Sequence, residues 1–165
     1  MKEFFQKNEG IVRDGLVALK KCEPTDVAFR YDNDFTVNVN VNVKGRYAGR
    51  FYAQQLPGCC GVAIVYDLGS NERGLGRLLL DWLEKSVRAA GYAMLLGTTN
   101  NEQERMNNIL PLRGWVRHKR FVNARTENEC YVWSKRLMTS DEAHGFYERD
   151  EYGDIVEEDE VPIGV

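Results

Sequence analysis

Between Cys59 and Thr98 the chain reads CCGVAIVYDLGSNERGLGRLLLDWLEKSVRAAGYAMLLGT: an apolar run, a glycine-punctuated turn, an amphipathic segment and a second apolar run. Few architectures accept that order. CCGVAIVYDL reads as a central strand buried on both faces. Gly76 to Ala90 places Leu79, Leu80, Leu83 and Val87 at helical spacing, with Gly91 as C-cap. Tyr92 to Thr98 is a second short buried strand. Where strand meets helix, the first amides of the helix lack intrahelical acceptors and point outward with the positive end of the macrodipole. Gly74 and Gly76 carry no Cβ, so a diphosphate can approach the backbone, and Arg73 and Arg77 add charged donors. A tight turn with no ligand would satisfy the same pattern. The G-x-G-x-x-G dinucleotide pattern fails because Leu79 stands at its third glycine, and the Gly-Lys-Ser/Thr of a P-loop is absent.

The flanking sequence supplies the remaining elements. Lys2 to Cys22 sets Phe5, Val12, Leu16 and Leu19 near one face of a helix that Pro24 ends. FTVNVNVNV, Phe35 to Val43, alternates apolar and polar residues without exception, as a strand with one buried face does. KGR turns the chain, and Tyr47 to Gln54 is the return strand. A further helix starts near Asn100 or Asn101 and ends before Pro111. WVRHKRFVNA and ECYVWSKRL are two strands joined by the polar RTEN turn. The sum is an α/β domain with a mixed sheet.

Composition bounds the class. A chain of 165 residues, 43% apolar and 28% charged, supports a single globular domain and a tail. The domain is expected over residues 1–137 and an acidic, flexible tail over 138–165. No apolar run approaches the ~20 residues of a membrane span. The charged start, MKEFFQKNEG, is unlike a signal peptide, so a cytoplasmic location is expected. The four cysteines, Cys22, Cys59, Cys60 and Cys130, lack metal-site spacing and read as reduced, mostly buried thiols; no metal site is expected. The net charge of −3 conceals a division, because residues 141–165 alone carry −9 and leave the body basic. The tail is open to two readings: disorder, or docking on a basic surface of the domain or of a partner.

From Val62 to Leu96 the chain resembles the coenzyme A-binding core of the GCN5-related N-acetyltransferases (GNAT), whose signature is Arg/Gln-x-x-Gly-x-Gly/Ala. Asn71-Glu72-Arg73-Gly74-Leu75-Gly76 is the matching segment. The resemblance continues through LRGW to the closing strand pair and covers about Phe35 to Leu137. It implies a mostly antiparallel sheet flanked by helices and splayed between the family's fourth and fifth strands; the family's first strand is not evident here. It implies acetyl-coenzyme A (acetyl-CoA) as co-substrate. The amides of Asn71, Glu72, Arg73, Gly74, Leu75 and Gly76, with Arg77, would hold the pyrophosphate. Backbone groups of Ile64 and Tyr66 would pair with the pantetheine arm, and Asn101 would be a further coenzyme contact. Where the family usually carries a Tyr general acid, four residues before Gly114, this chain has Leu110.

The implied reaction is attack of a neutral amine on the acetyl carbonyl, which asks for a base, an oxyanion donor and an acid for the thiolate. Asp67 is the candidate base, and equally a turn former at a strand end. Tyr66 is the candidate donor to the thiolate, and equally a packed aromatic. His118 is a third candidate, and equally a surface histidine on a basic strand. The acceptor is expected to be a primary amine of a small molecule or protein. The cations from Arg113 to Arg136 could also meet nucleic acid or an acidic protein, which are not favoured. A catalytically silent binding module of the same fold is the alternative function.

Overall fold

The computed structural model describes residues 1–19, 21–31 and 36–147. A seven-stranded sheet runs in the order β1-β2-β3-β4-β5-β7-β6. Its strands are β1 (Val27–Tyr31), β2 (Val37–Val43), β3 (Arg46–Gln55), β4 (Val62–Ser70), β5 (Met94–Asn100), β6 (Val116–Val122) and β7 (Glu129–Arg136). Every neighbouring pair is antiparallel except β4 with β5. The helices are α1 (Lys2–Lys7), α2 (Gly10–Ala18), α3 (Leu75–Ala89), α4 (Glu104–Leu112) and α5 (Ser140–Tyr147).

The alternation in β2 sets the sheet's two faces. Val37, Val39 and Val41 are buried beneath helices, while Asn38, Asn40 and Asn42 stay half-buried on the other face. The core lies between that valine face, continued by Phe51, Ala53, Ala63 and Val65, and the packed α1, α2 and α3. At its centre Trp82 of α3 meets Phe5, Phe29 and Phe51, with ring centroids 5.1–5.7 Å apart. Its indole N–H donates to the Phe5 carbonyl at 2.9 Å, so the largest core side chain leaves no polar atom unpaired.

Several expectations are corrected. The N-terminal helix is two helices, α1 and α2, separated at Asn8 and Glu9, where the Asn8 side chain donates to the Phe4 carbonyl. A strand not expected from the sequence follows α2: VAFRY pairs antiparallel with β2 along its full length. β4 is covered on one face only, with Ala63 and Val65 buried and Val62, Ile64 and Tyr66 half-buried. Cys59 and Cys60 lie ahead of that strand and are exposed; Cys22 and Cys130 are buried.

Helix α3 ends as expected, in a Schellman motif: Gly91, at φ 89°, donates to Arg88, and Tyr92 donates to Val87. The same motif closes α4 through Gly114 and Trp115, and it carries the helix past Pro111, where the sequence suggested a stop. The segment after Leu137 also departs from a wholly flexible tail. Leu137 and Met138 are buried, α5 follows, and Arg88 of α3 ion-pairs with Glu142 at 2.7 Å. Residues 148–165, the rest of that expected tail, lie outside the described residues, as does Phe35. Among the described residues no helix is long and apolar enough to cross a membrane.

Candidate active site

The sheet opens along its parallel pair. β4 and β5 are in register from Val62–Met94 to Val65–Gly97 and no further, although β5 stays paired with β7 as far as Asn100. The cause lies in β4. Against β3, Arg50 faces Gly69 while Tyr52 faces Tyr66, so β4 holds one residue more than its partner across this interval. That is a β-bulge, and Asp67 within it has φ 52°, a conformation that Asp tolerates better than most side chains. A bulge bends its strand and increases its twist. β4 therefore turns away from β5 at the bulge, and Tyr66 is the first residue whose β5-facing edge has no strand beside it.

A cavity of about 60 Å³ fills the opening. Its walls are Val65 to Leu68 of β4, Gly97 to Thr99 of β5, Leu80 of α3, Gln103, Met106 and Leu110 at α4, and Trp115 and Trp133. The far wall is held by hydrogen bonds. Trp133 donates to the Thr99 hydroxyl at 2.8 Å, which donates to the Asn107 carboxamide oxygen at 2.5 Å, and the Asn107 amide reaches the Asn100 carbonyl. Trp115 donates to Glu84 at 2.9 Å, and Glu84 also receives Arg113 and, at 2.6 Å, Lys135. This partly buried cluster ties the end of α4 to α3 and β7. Sequence reading passed it over because its members are dispersed along the chain.

Leu80, Gln103 and Met106 are shared with a second, larger cavity of about 270 Å³, which continues the groove to the start of α3 past Ser70, Glu72, Gly74, Gly76 and Arg77. Gly74, at φ 92°, is the N-cap. The Leu75 amide donates back to Glu72, whereas those of Gly74, Gly76 and Arg77 fall in the first turn, where the helix offers no acceptor. With Arg77 and Arg105 lining the groove against the single carboxylate of Glu72, charge and dipole both favour an anion. An added Cβ on Gly76 would stand 3.2 Å from Ser70 Oγ, so glycine keeps the cradle open there. A diphosphate followed by a flexible arm fits this shape.

The expected site residues divide. Tyr66 and Asp67 line the opening; Glu72, Gly74, Gly76 and Arg77 line the anion end. Ile64 does not reach the opening, because it lies inside the closed ladder between Gln54 and Leu96. The Asn71 amide is spent on the Ala48 carbonyl at 2.8 Å, and the Leu75 side chain is buried in the core. Arg73 is exposed and outside both cavity walls. Asn101 is exposed and on neither cavity wall, its backbone amide bonded to the Glu129 carbonyl, and Gln103 lines the groove instead. His118 sits on exposed β6 with Nε2 2.6 Å from Ser134 Oγ, on neither cavity wall.

On the face away from the core, Asn38, Tyr52 and Tyr66 stand in register across three strands. The Tyr52 and Tyr66 rings are 5.8 Å apart. Gln54 donates to Tyr66 Oη at 2.7 Å, which leaves the Tyr66 O–H free to donate. Asp67 is paired with Arg50 at 2.5 Å, both half-exposed. Tyr66 and Asp67 are the ionisable groups on the wall of the opening among the described residues, and Leu110 places an apolar side chain there.

No protein-family model matches the sequence, and no curated protein matches it. Solved structures do resemble it in fold. The ribosomal-protein-S18-alanine N-acetyltransferase of Escherichia coli superposes with a TM-score of 0.56 at 14% identity, over 66% of this chain and 74% of that one. A GNAT-family acetyltransferase of Streptococcus pneumoniae gives 0.54 at 17% identity, over 65% and 70%. A Salmonella typhimurium protein solved with its cofactor acetyl-CoA gives 0.54 at 13%, over 63% and 66%. The strand order, the one parallel pair and its open end agree with these likenesses: the chain has the fold of the GNAT-family acetyltransferases, in a divergent sequence.

Proposed function

We propose that the protein is a divergent GNAT-family N-acetyltransferase that uses acetyl-CoA to acetylate a primary amine of a small molecule or protein. The observation that carries this reading is the end of the β4–β5 ladder at Val65–Gly97, with a groove leading from it to the unpaired amides of α3. In the proposal the diphosphate lies against the Gly74, Gly76 and Arg77 amides. The pantetheine arm follows Leu80, Gln103 and Met106 and adds to the free edge of β4 at Tyr66. The thioester then sits in the opening, where a β4 amide donates to its carbonyl oxygen as charge develops.

The amine approaches across the face of Asn38, Tyr52 and Tyr66. Asp67 takes its proton directly or through water, in competition with Arg50, and the Tyr66 hydroxyl donates to the departing thiolate. Titration calorimetry with acetyl-CoA tests the coenzyme role: no heat at millimolar ligand would end it. Release of free thiol across a panel of amines tests turnover.

A second reading is favoured by one observation. Leu110 is apolar and on the wall of the opening, four residues before Gly114, so no side chain replaces the usual acid at that position. Under this reading the chain binds the coenzyme and does not turn it over, and the calorimetric signal appears without thiol release.

A further inference from the structure

We propose that the closed end of the opening is an acyl chamber that selects a donor one methylene longer than acetyl, so that propionyl-coenzyme A is bound in preference to acetyl-CoA. The inference rests on the coenzyme reading above and concerns what lies beyond the thioester. The cavity in the split is divided in character. Towards α3 it is continuous with the anion groove through Leu80, Gln103 and Met106. Its far end is walled by Val65, Leu110, Trp115 and Trp133, of which each is at least nine-tenths buried. Both indole N–H groups there are already committed, to Glu84 and to Thr99, so those two rings offer an acyl chain only carbon.

Gly97 keeps this end open. A Cβ on it would stand 3.2 Å from Val65 Cγ1 and 3.7 Å from Trp115 Cζ3, within the same space. The free volume of about 60 Å³ covers the whole opening and is several times the roughly 10–15 Å³ that one water-sized group needs, so the thioester and an acyl chain one methylene longer than acetyl have room there together. Leu110 adds to the effect, since a hydroxyl-bearing ring at that position would fill the chamber and set a polar atom in it.

The test is titration calorimetry of the full chain with acetyl-, propionyl- and free coenzyme A. Burial of one additional methylene predicts propionyl-coenzyme A binding roughly fourfold more tightly than acetyl-CoA. In Leu110→Phe, which shortens the chamber, that ratio falls to one or below. Gly97→Ala, a smaller intrusion, reports the same ratio should Leu110→Phe not fold. Propionyl-coenzyme A binding no more tightly than acetyl-CoA to the native chain overturns the inference and leaves the coenzyme reading intact. A preference that persists unchanged in the folded variants also overturns it. Absence of binding by all three ligands overturns the inference and the coenzyme reading together.

Discussion

Gly74 and Gly76 are two residues apart, yet adding one methyl group to each should move stability in opposite directions. Gly74 has φ 92°. An alanine there adopts a left-handed conformation that costs about 1–2 kcal/mol. Its Cβ would also fall 2.7 Å from Leu19 Cδ1, but Leu19 is 47% exposed and its tip can swing away, so the contact adds little. Gly74→Ala is therefore expected to lose about 1–2 kcal/mol. Gly76 is in the first turn of α3 with no positive φ, and its new neighbour is the hydroxyl of exposed Ser70 at 3.2 Å. Replacing a helical glycine by alanine gains about 0.5–1 kcal/mol from the lower entropy of the unfolded chain, offset in part by moving Ser70. Gly76→Ala should therefore be as stable as the native protein or slightly more so. The Gly76 methyl intrudes on the anion end of the groove beside Ser70, so Gly76→Ala should bind acetyl-CoA more weakly, by roughly tenfold if one amide contact to the diphosphate is lost. Urea denaturation gives the stabilities and calorimetry the affinities. A Gly76→Ala variant less stable than Gly74→Ala, or one that binds acetyl-CoA as tightly as the native protein, would refute the reasoning.

Other perturbations separate the chemistry from the scaffold. Asp67→Asn retains a side chain that tolerates positive φ and breaks only a half-exposed ion pair with Arg50, so stability should change by less than about 1 kcal/mol; turnover, measured as thiol release, should fall by roughly a hundredfold or more if Asp67 is the base. Glu84→Gln leaves the indole of Trp115 an acceptor but strips the charge facing Arg113 and Lys135, so urea denaturation should register a loss of about 1–3 kcal/mol, reduced from the cost of a fully buried pair because these groups keep some solvent contact. Burial, followed by the hydrogen bond to Glu9, raises the pKa of Tyr31 above its ordinary value. A phenol raised in the folded state contributes stability that is intact below its unfolded pKa, about 10, and is lost as pH climbs above it; thermal midpoints between about pH 9 and 11 should therefore fall more steeply in the native protein than in Tyr31→Phe.

How much of this was legible in the sequence depended on whether the cause was local. The strict alternation of Val37 to Val43 and the leucines of α3 fix which face is buried, and the Gly91 cap fixes where α3 stops, because periodicity and capping are properties of adjacent residues. β1 was hidden because VAFRY is five residues long and buries only Val27. Pro111 misled because the sequence shows its missing N–H but not the Schellman closure at Gly114, which carries the helix beyond it. The glycine turn pointed to the anion end, but the division of labour among its amides could not be foreseen: Asn71 bonds to Ala48, a residue of β3 far off in the chain. The split itself is a tertiary fact. The sequence marks Asp67 as a turn former; that its positive φ forms a bulge, and that the bulge ends a parallel ladder, depends on β3 and β5 together.

The central claim is that an acyl-coenzyme A lies between the start of α3 and the open end of β4. Its most direct test is an amide NMR titration of the labelled protein with acetyl-CoA. The largest shifts are expected at Tyr66, Gly74, Gly76 and Arg77, smaller ones at Gln103 and Met106, and none along Arg117 to Phe121 of β6. Shifts concentrated on β6, or no change at Gly74 and Gly76 with millimolar ligand, would contradict it.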